Sequence, residues 1–119
     1  MDIVIPGIDV QKGLDLYDDE FDLWLRVLRS YAENTPAALD RMRAVSAQTL
    51  AEYTSAVHGI KSTSANIGAE HTRAAAHNLE MTAKAGDLNG VLAENKAFLA
   101  KADELLAGIH TWLERYDNQ

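Results

Sequence analysis

Apolar side chains recur at spacings of three and four along most of the chain, first at Phe21, Trp24, Leu25, Leu28 and Tyr31, then at Leu39, Met42 and Val45. Such a period marks helices that each bury one stripe. Ahead of them, residues 3–8 are expected to form an extended lead-in and residues from about 9 to 16 a small helix. Asp18 and Asp19 are placed to cap the helix that runs through Tyr31. Thr35 followed by Pro36 predicts a cap and a first helical residue, so a new helix is expected there, ending near Ser46.

Thr49-Leu50-Ala51-Glu52 has the form of a capping box, in which hydroxyl and carboxylate each satisfy a free amide of the first turn. The helix it opens carries Leu50, Tyr53, Val57, Ile60, Ser64 and Ile67 on one seam, and Gly68 suits the left-handed residue that ends it. The next helix is expected from about Glu70 to Ala85, with Thr72, Ala75, Ala76, Leu79 and Ala83 inward and Gly86 as terminator. Asp87 or Asn89 can cap a last helix in which Leu88, Val91, Leu92, Phe98, Leu99, Leu105, Leu106, Ile109 and Leu113 sustain the stripe to Tyr116. Four substantial amphipathic helices with short connections predict an all-α antiparallel four-helix bundle, with short N-terminal helices covering one end. A single domain over residues 1–119 is expected, with residues 1–8 as lead-in and the bundle over about 18–116.

Composition agrees with helices: the chain is 47% hydrophobic but only 7% aromatic, with two prolines. Eleven basic against 18 acidic side chains give a formal charge of −7, so nucleic acid and an anionic membrane face are not expected partners. The acidic cluster Asp15, Asp18, Asp19, Glu20 and Asp22 reads as solvated helix-start charge, and Trp24 and Trp112 as packing anchors. Cysteine is absent, which excludes disulfides and thiolate chemistry. The amino terminus lacks the pattern of a secretion signal and no run is apolar enough to span a bilayer, so a cytoplasmic protein is expected.

Chemistry concentrates at His58. On its helix, the stripe beside the buried seam is Ala51, Thr54, Ser55, His58, Lys61, Ser62 and Ala65, mostly small residues. One position on from Val57, His58 is expected at the margin of the core, partly exposed, with Lys61 one turn further on. An imidazole is a competent nucleophile near neutral pH, and a neighbouring ammonium disfavours its protonated, inert form and offsets the charge of an attached phosphoryl group. The same face offers no carboxylate for magnesium, and no phosphate-binding loop occurs. Phosphoryl transfer needs metal and cations around the reacting group, so a partner has to supply the rest, and the small side chains are clearance for its docking.

The run His58-x-x-Lys61-Ser62-x-Ser64-x-x-Ile67-Gly68-Ala69, followed by Leu79-Glu80 and Gly86-Asp87, closely resembles histidine-containing phosphotransfer (HPt) domains of multistep two-component signalling. Pro6-Gly7-Ile8-Asp9-Val10 with Gly13-Leu14, and the helix from Phe21 to Tyr31, look like the start of such modules, particularly those attached to hybrid sensor kinases. The resemblance implies His58 as phosphoacceptor, Lys61 as the cation beside the phosphoryl group and Gly68 as the residue closing the turn. It further implies response-regulator receiver domains and a hybrid sensor histidine kinase as partners, Ala51, Thr54, Ser55, Ser62 and Ala65 as docking residues, and Leu14, Leu23 and Val27 as apolar candidates for the same surface. No cofactor is expected to be stably bound; magnesium would come from the partner during transfer. The family usually has Gly where this chain has Ser62, and tolerates larger residues where this chain has Gly59.

Accordingly, the chain is expected to be a non-autonomous phosphorelay intermediate, taking a phosphoryl group on His58 from a receiver aspartate and yielding it to another receiver. Three other readings stand beside it. The phosphoacceptor domain of a chemotaxis-type histidine kinase shares the bundle and a reactive histidine. A metal- or haem-binding bundle would have to use His58, His71, His77 and His110, yet His71 and His77 are six residues apart and no His-x-x-x-His or Glu-x-x-His pair occurs, so no metal site is expected. A helical adaptor without transfer chemistry is opposed by the presence of both His58 and Lys61, while Ser62 keeps it open.

Overall fold

The computed structural model describes residues 2–119 and contains five helices: α1 (Val10–Asp15), α2 (Phe21–Met42), α3 (Leu50–Ala65), α4 (Glu70–Lys84) and α5 (Leu88–Asp117). Helices α2 to α5 pack in a ring in which each meets its neighbours in the chain and α2 closes on α5. Cross-links fix the directions. Arg29 pairs with Asp117 and Arg43 with Asp103, so α2 and α5 are antiparallel, while Trp24 and Tyr31 reach Ile67 and Ser64 at the far end of α3. The result is the expected up-down-up-down bundle, 47 Å long.

Its core is the stripe read from the period, with Trp24, Leu28, Leu39, Tyr53, Val57, Ile60, Leu79, Val91 and Ile109 almost wholly buried. Leu92 departs from that reading and is 51% exposed. Val91, its neighbour, takes the inward position. Among the described residues no helix is long and apolar enough to cross a membrane.

Contrary to the break expected at Thr35-Pro36, α2 runs unbroken for 22 residues through Pro36. The buried positions Leu28, Tyr31, Ala32, Thr35, Leu39 and Met42 form one stripe across the proline, while Pro36 itself is exposed. Its ring removes one backbone bond, to the Ala32 carbonyl, at a cost of about 3 kcal/mol in a helix interior. Burying Leu39 and Met42, at about 1.5–3 kcal/mol each, outweighs it.

Two predicted caps are absent as well. Asp18 and Asp19 take left-handed backbone angles in the preceding turn, φ 53° and 61°, and α2 starts after Glu20 with no side-chain cap. Thr49 does not form the capping box: its Oγ1 instead accepts the Ser46 amide at 2.8 Å, tightening the α2–α3 turn. The caps that do form are Asp9 on the Lys12 amide and Asp87 on the Gly90 amide.

The lead-in and α1 close one end. Asp9 donates its amide to the Gly68 carbonyl at 2.9 Å, and the Trp24 indole donates to the Ile67 carbonyl at 3.2 Å. Gly68 has φ +87°, a conformation costly for any residue with a Cβ, and its buried Cα lies directly against the Asp9 backbone. The turn between α3 and α4 is therefore held from both sides, which fixes how those two helices face each other.

Candidate functional site

His58 stands on α3 one residue past the buried Val57, which puts its ring on the flank turned toward α4, and its side chain is 57% exposed. Directly across, α4 presents Glu80, whose side chain is only 1% exposed. The His58 Nδ1–H donates to Glu80 Oε2 at 2.5 Å, and the Lys61 ammonium meets Glu80 Oε1 at 2.5 Å. Lys84, one turn further along α4, reaches the same Oε2 at 3.2 Å.

A carboxylate in this position is tolerated because cationic and N–H donors surround it. Burial alone pushes the Glu80 carboxyl up, but Lys61, His58 and Lys84 outweigh that and hold it down at about 2. Glu80 is thus an anion throughout the physiological range. An anionic oxygen against Nδ1 places a hydrogen on that nitrogen, so in the neutral ring the Nε2 lone pair is the free one. The bundle fixes one face of the imidazole and offers the other to solvent.

Sequence reading placed Lys61 beside the ring as a lone ammonium. The structure instead inserts Glu80 between them, so Lys61 is anchored on the carboxylate that also orients His58. Glu80 entered the sequence analysis only as part of the run Leu79-Glu80, with no role at the site, and Lys84 did not enter it. A signal existed: Glu80 follows Leu79 on the stripe with Ala76 and Ala83, where an unpaired carboxylate cannot stay, and Lys84 lies four residues on.

Of the expected docking residues, Ala51, Ser55 and Ser62 are exposed on the outward side of α3. Thr54 and Ala65 are half-buried, and the Thr54 hydroxyl donates to the Leu50 carbonyl at 2.8 Å. Gly59 completes this low surface; a Cβ there would meet nothing within 4 Å, so packing does not require the glycine. It borders a groove of about 330 Å³ between α2 and α3, lined also by Val27, Tyr31, Ala38, Arg41 and Thr63. Leu23 is exposed, whereas Leu14 packs half-buried against the core.

His71, His77 and His110 are exposed, and among the described residues no group of three or more His, Cys, Asp or Glu could hold a metal ion. His71 borders a second groove, about 620 Å³, between α4 and α5.

The site is thus a helical bundle that pins one nitrogen of an exposed imidazole through a buried carboxylate. The Hpt domain family model matches residues 26–119, and the chain belongs to that family. Its members carry phosphoryl groups on histidine in two-component phosphorelays, with receiver-type domains as partners. Searches of curated proteins and of solved structures each returned no match.

Proposed function

We propose that His58 is the phosphoacceptor of a receiver-to-receiver relay. The observation that carries this reading is a 57% exposed ring whose Nδ1–H is held by Glu80, which leaves Nε2 as the unengaged nitrogen. Nε2 attacks the phosphorus of a receiver aspartyl phosphate. The Nε2–P bond forms as the P–O bond breaks, and the electron pair leaves on the aspartate carboxylate. Nδ1 keeps its hydrogen throughout, and Glu80 steadies the positive charge the ring gains. Transfer to a second receiver runs the same step in reverse.

Lys61, one helical turn from His58 and anchored on the same Glu80 carboxylate, offsets part of the roughly two negative charges of the phosphoryl group. Magnesium belongs to the receiver and neutralises the transferring group there. The low surface of Ala51, Thr54, Ser55, Ser62 and Ala65, with Gly59 beside it, gives a receiver room to bring its aspartate to Nε2, and Gly68 keeps α3 and α4 in register. Such a carrier works in the cytoplasm, and it accelerates transfer chiefly by position.

Incubation with phosphorylated receivers tests the relay. Acid-labile label should appear on the wild-type protein and pass to a second receiver, and His58→Gln should take none while keeping its helical spectrum. Label retained by His58→Gln refutes the assignment. Should an ATP-charged kinase domain label the protein while no receiver does, the donor is a kinase and the chemotaxis-type reading replaces this one.

A further inference from the structure

Two ammoniums converge on one buried carboxylate. Lys61 holds Glu80 Oε1 at 2.5 Å, His58 Nδ1 holds Oε2 at 2.5 Å, and Lys84 adds a longer contact of 3.2 Å to the oxygen His58 already occupies. Lys84 is also the looser of the two lysines, its side chain 55% exposed against 25% for Lys61. Glu80 has a partner on each oxygen without it, so Lys84 leaves the cluster one positive unit in excess while the ring is neutral. A surface lysine gains little from such a contact, and an anion with more charge nearby competes for it.

We propose that Lys84 is a second cation of the phosphoryl site, which leaves Glu80 and pairs with a phosphoryl oxygen once Nε2 is phosphorylated. The proposal rests on the phosphoacceptor reading of His58. Because Lys84 and the ring share one oxygen of Glu80, its ammonium is already a neighbour of the imidazole, and its flexible stem needs only a rotamer change. Lys61, more buried and on the other oxygen, stays to keep Glu80 paired. With the ring's own positive charge counted, the phosphorylated site then lies near neutral; with Lys61 alone it would lie about one unit negative.

The full chain can be phosphorylated without a protein partner by phosphoramidate, in which the P–N bond breaks, Nε2 takes the phosphoryl group and ammonia departs with a proton from water. Labelling rate and the phosphorus NMR shift of the phosphohistidine are compared in wild type, Lys84→Gln and Lys84→Arg. Lys84→Gln should label roughly threefold more slowly and move the phosphorus signal, and Lys84→Arg should restore both. A Lys84→Gln protein identical to wild type overturns the inference. So does one that labels slowly with an unmoved phosphorus signal, since Lys84 would then act only by steadying Glu80. Wild-type protein that takes no phosphoryl group at all fails the His58 reading itself, a distinct result.

Discussion

A carboxylate buried in a helical bundle is unfavourable unless it is compensated, and Glu80 has one hydrogen bond, from His58, and two ammonium ion pairs, with Lys61 and Lys84. Its carboxyl, held near 2 in the folded protein against the ordinary value of 4.5, binds its proton more readily when the chain unfolds. The stability this contributes is complete above pH 4.5 and is lost as pH falls toward 2. Glu80→Gln should therefore melt below wild type at pH 7, by on the order of 1 kcal/mol or a few degrees, and the gap should close on acidification through that window. Melting curves at stepped pH check it; a gap that widens toward acid contradicts the donor cluster. The same substitution removes the anion that fixes the ring tautomer, so labelling of His58 should slow by about tenfold. The placement of His58 and Lys61 one turn apart on α3 was legible in the sequence from their spacing. Glu80 was not, because it comes to His58 from another helix across a turn, and only the antiparallel packing of α3 on α4 brings them together.

Local signals and tertiary packing compete within the helices, and α2 records the outcome. Thr35-Pro36 is a sound start signal, but the stripe from Leu28 to Met42 has a continuous core to cover and overrides it. Pro36→Ala should return a backbone bond to the exposed side of α2 and raise stability by about 2–3 kcal/mol, the helix cost of proline less what its stiffness takes from the unfolded chain, read as a clear rise in the melting temperature. A fall would mean that the proline is required by the packing of α2. On α3, Gly59→Ala should stabilise the helix by roughly 1 kcal/mol, since a methyl group there meets open space. Denaturant titration checks this, and a destabilised variant would show that the groove beside α3 is tighter than the structure has it. Helix ends followed the sequence where a glycine is sterically required, as at Gly68, and failed where several hydroxyls and carboxylates compete for one amide, as at Thr49.

Across the molecule, a few buried polar links set how the bundle closes. Asn95 on α5 accepts the Tyr53 hydroxyl at 2.9 Å and donates to the Met42 carbonyl at 2.9 Å, joining α5 to α3 and to the end of α2. Asn95→Ala strands both partners in the core and should cost roughly 2–3 kcal/mol; a loss below 0.5 kcal/mol by denaturant titration would show that water replaces the link. The four-helix architecture was legible from period and connection length, whereas this polar link, made between residues 42 or more apart in the chain, was not. Both serve one end: the bundle holds α3 and α4 rigidly enough that a single ring nitrogen is presented in one orientation. Long-range proton–nitrogen NMR of the protein after transfer from a phosphorylated receiver reads that nitrogen directly. One phosphohistidine is expected, at His58 and on Nε2, with Nδ1 still protonated. Phosphate on Nδ1, or on any residue other than His58, would contradict it.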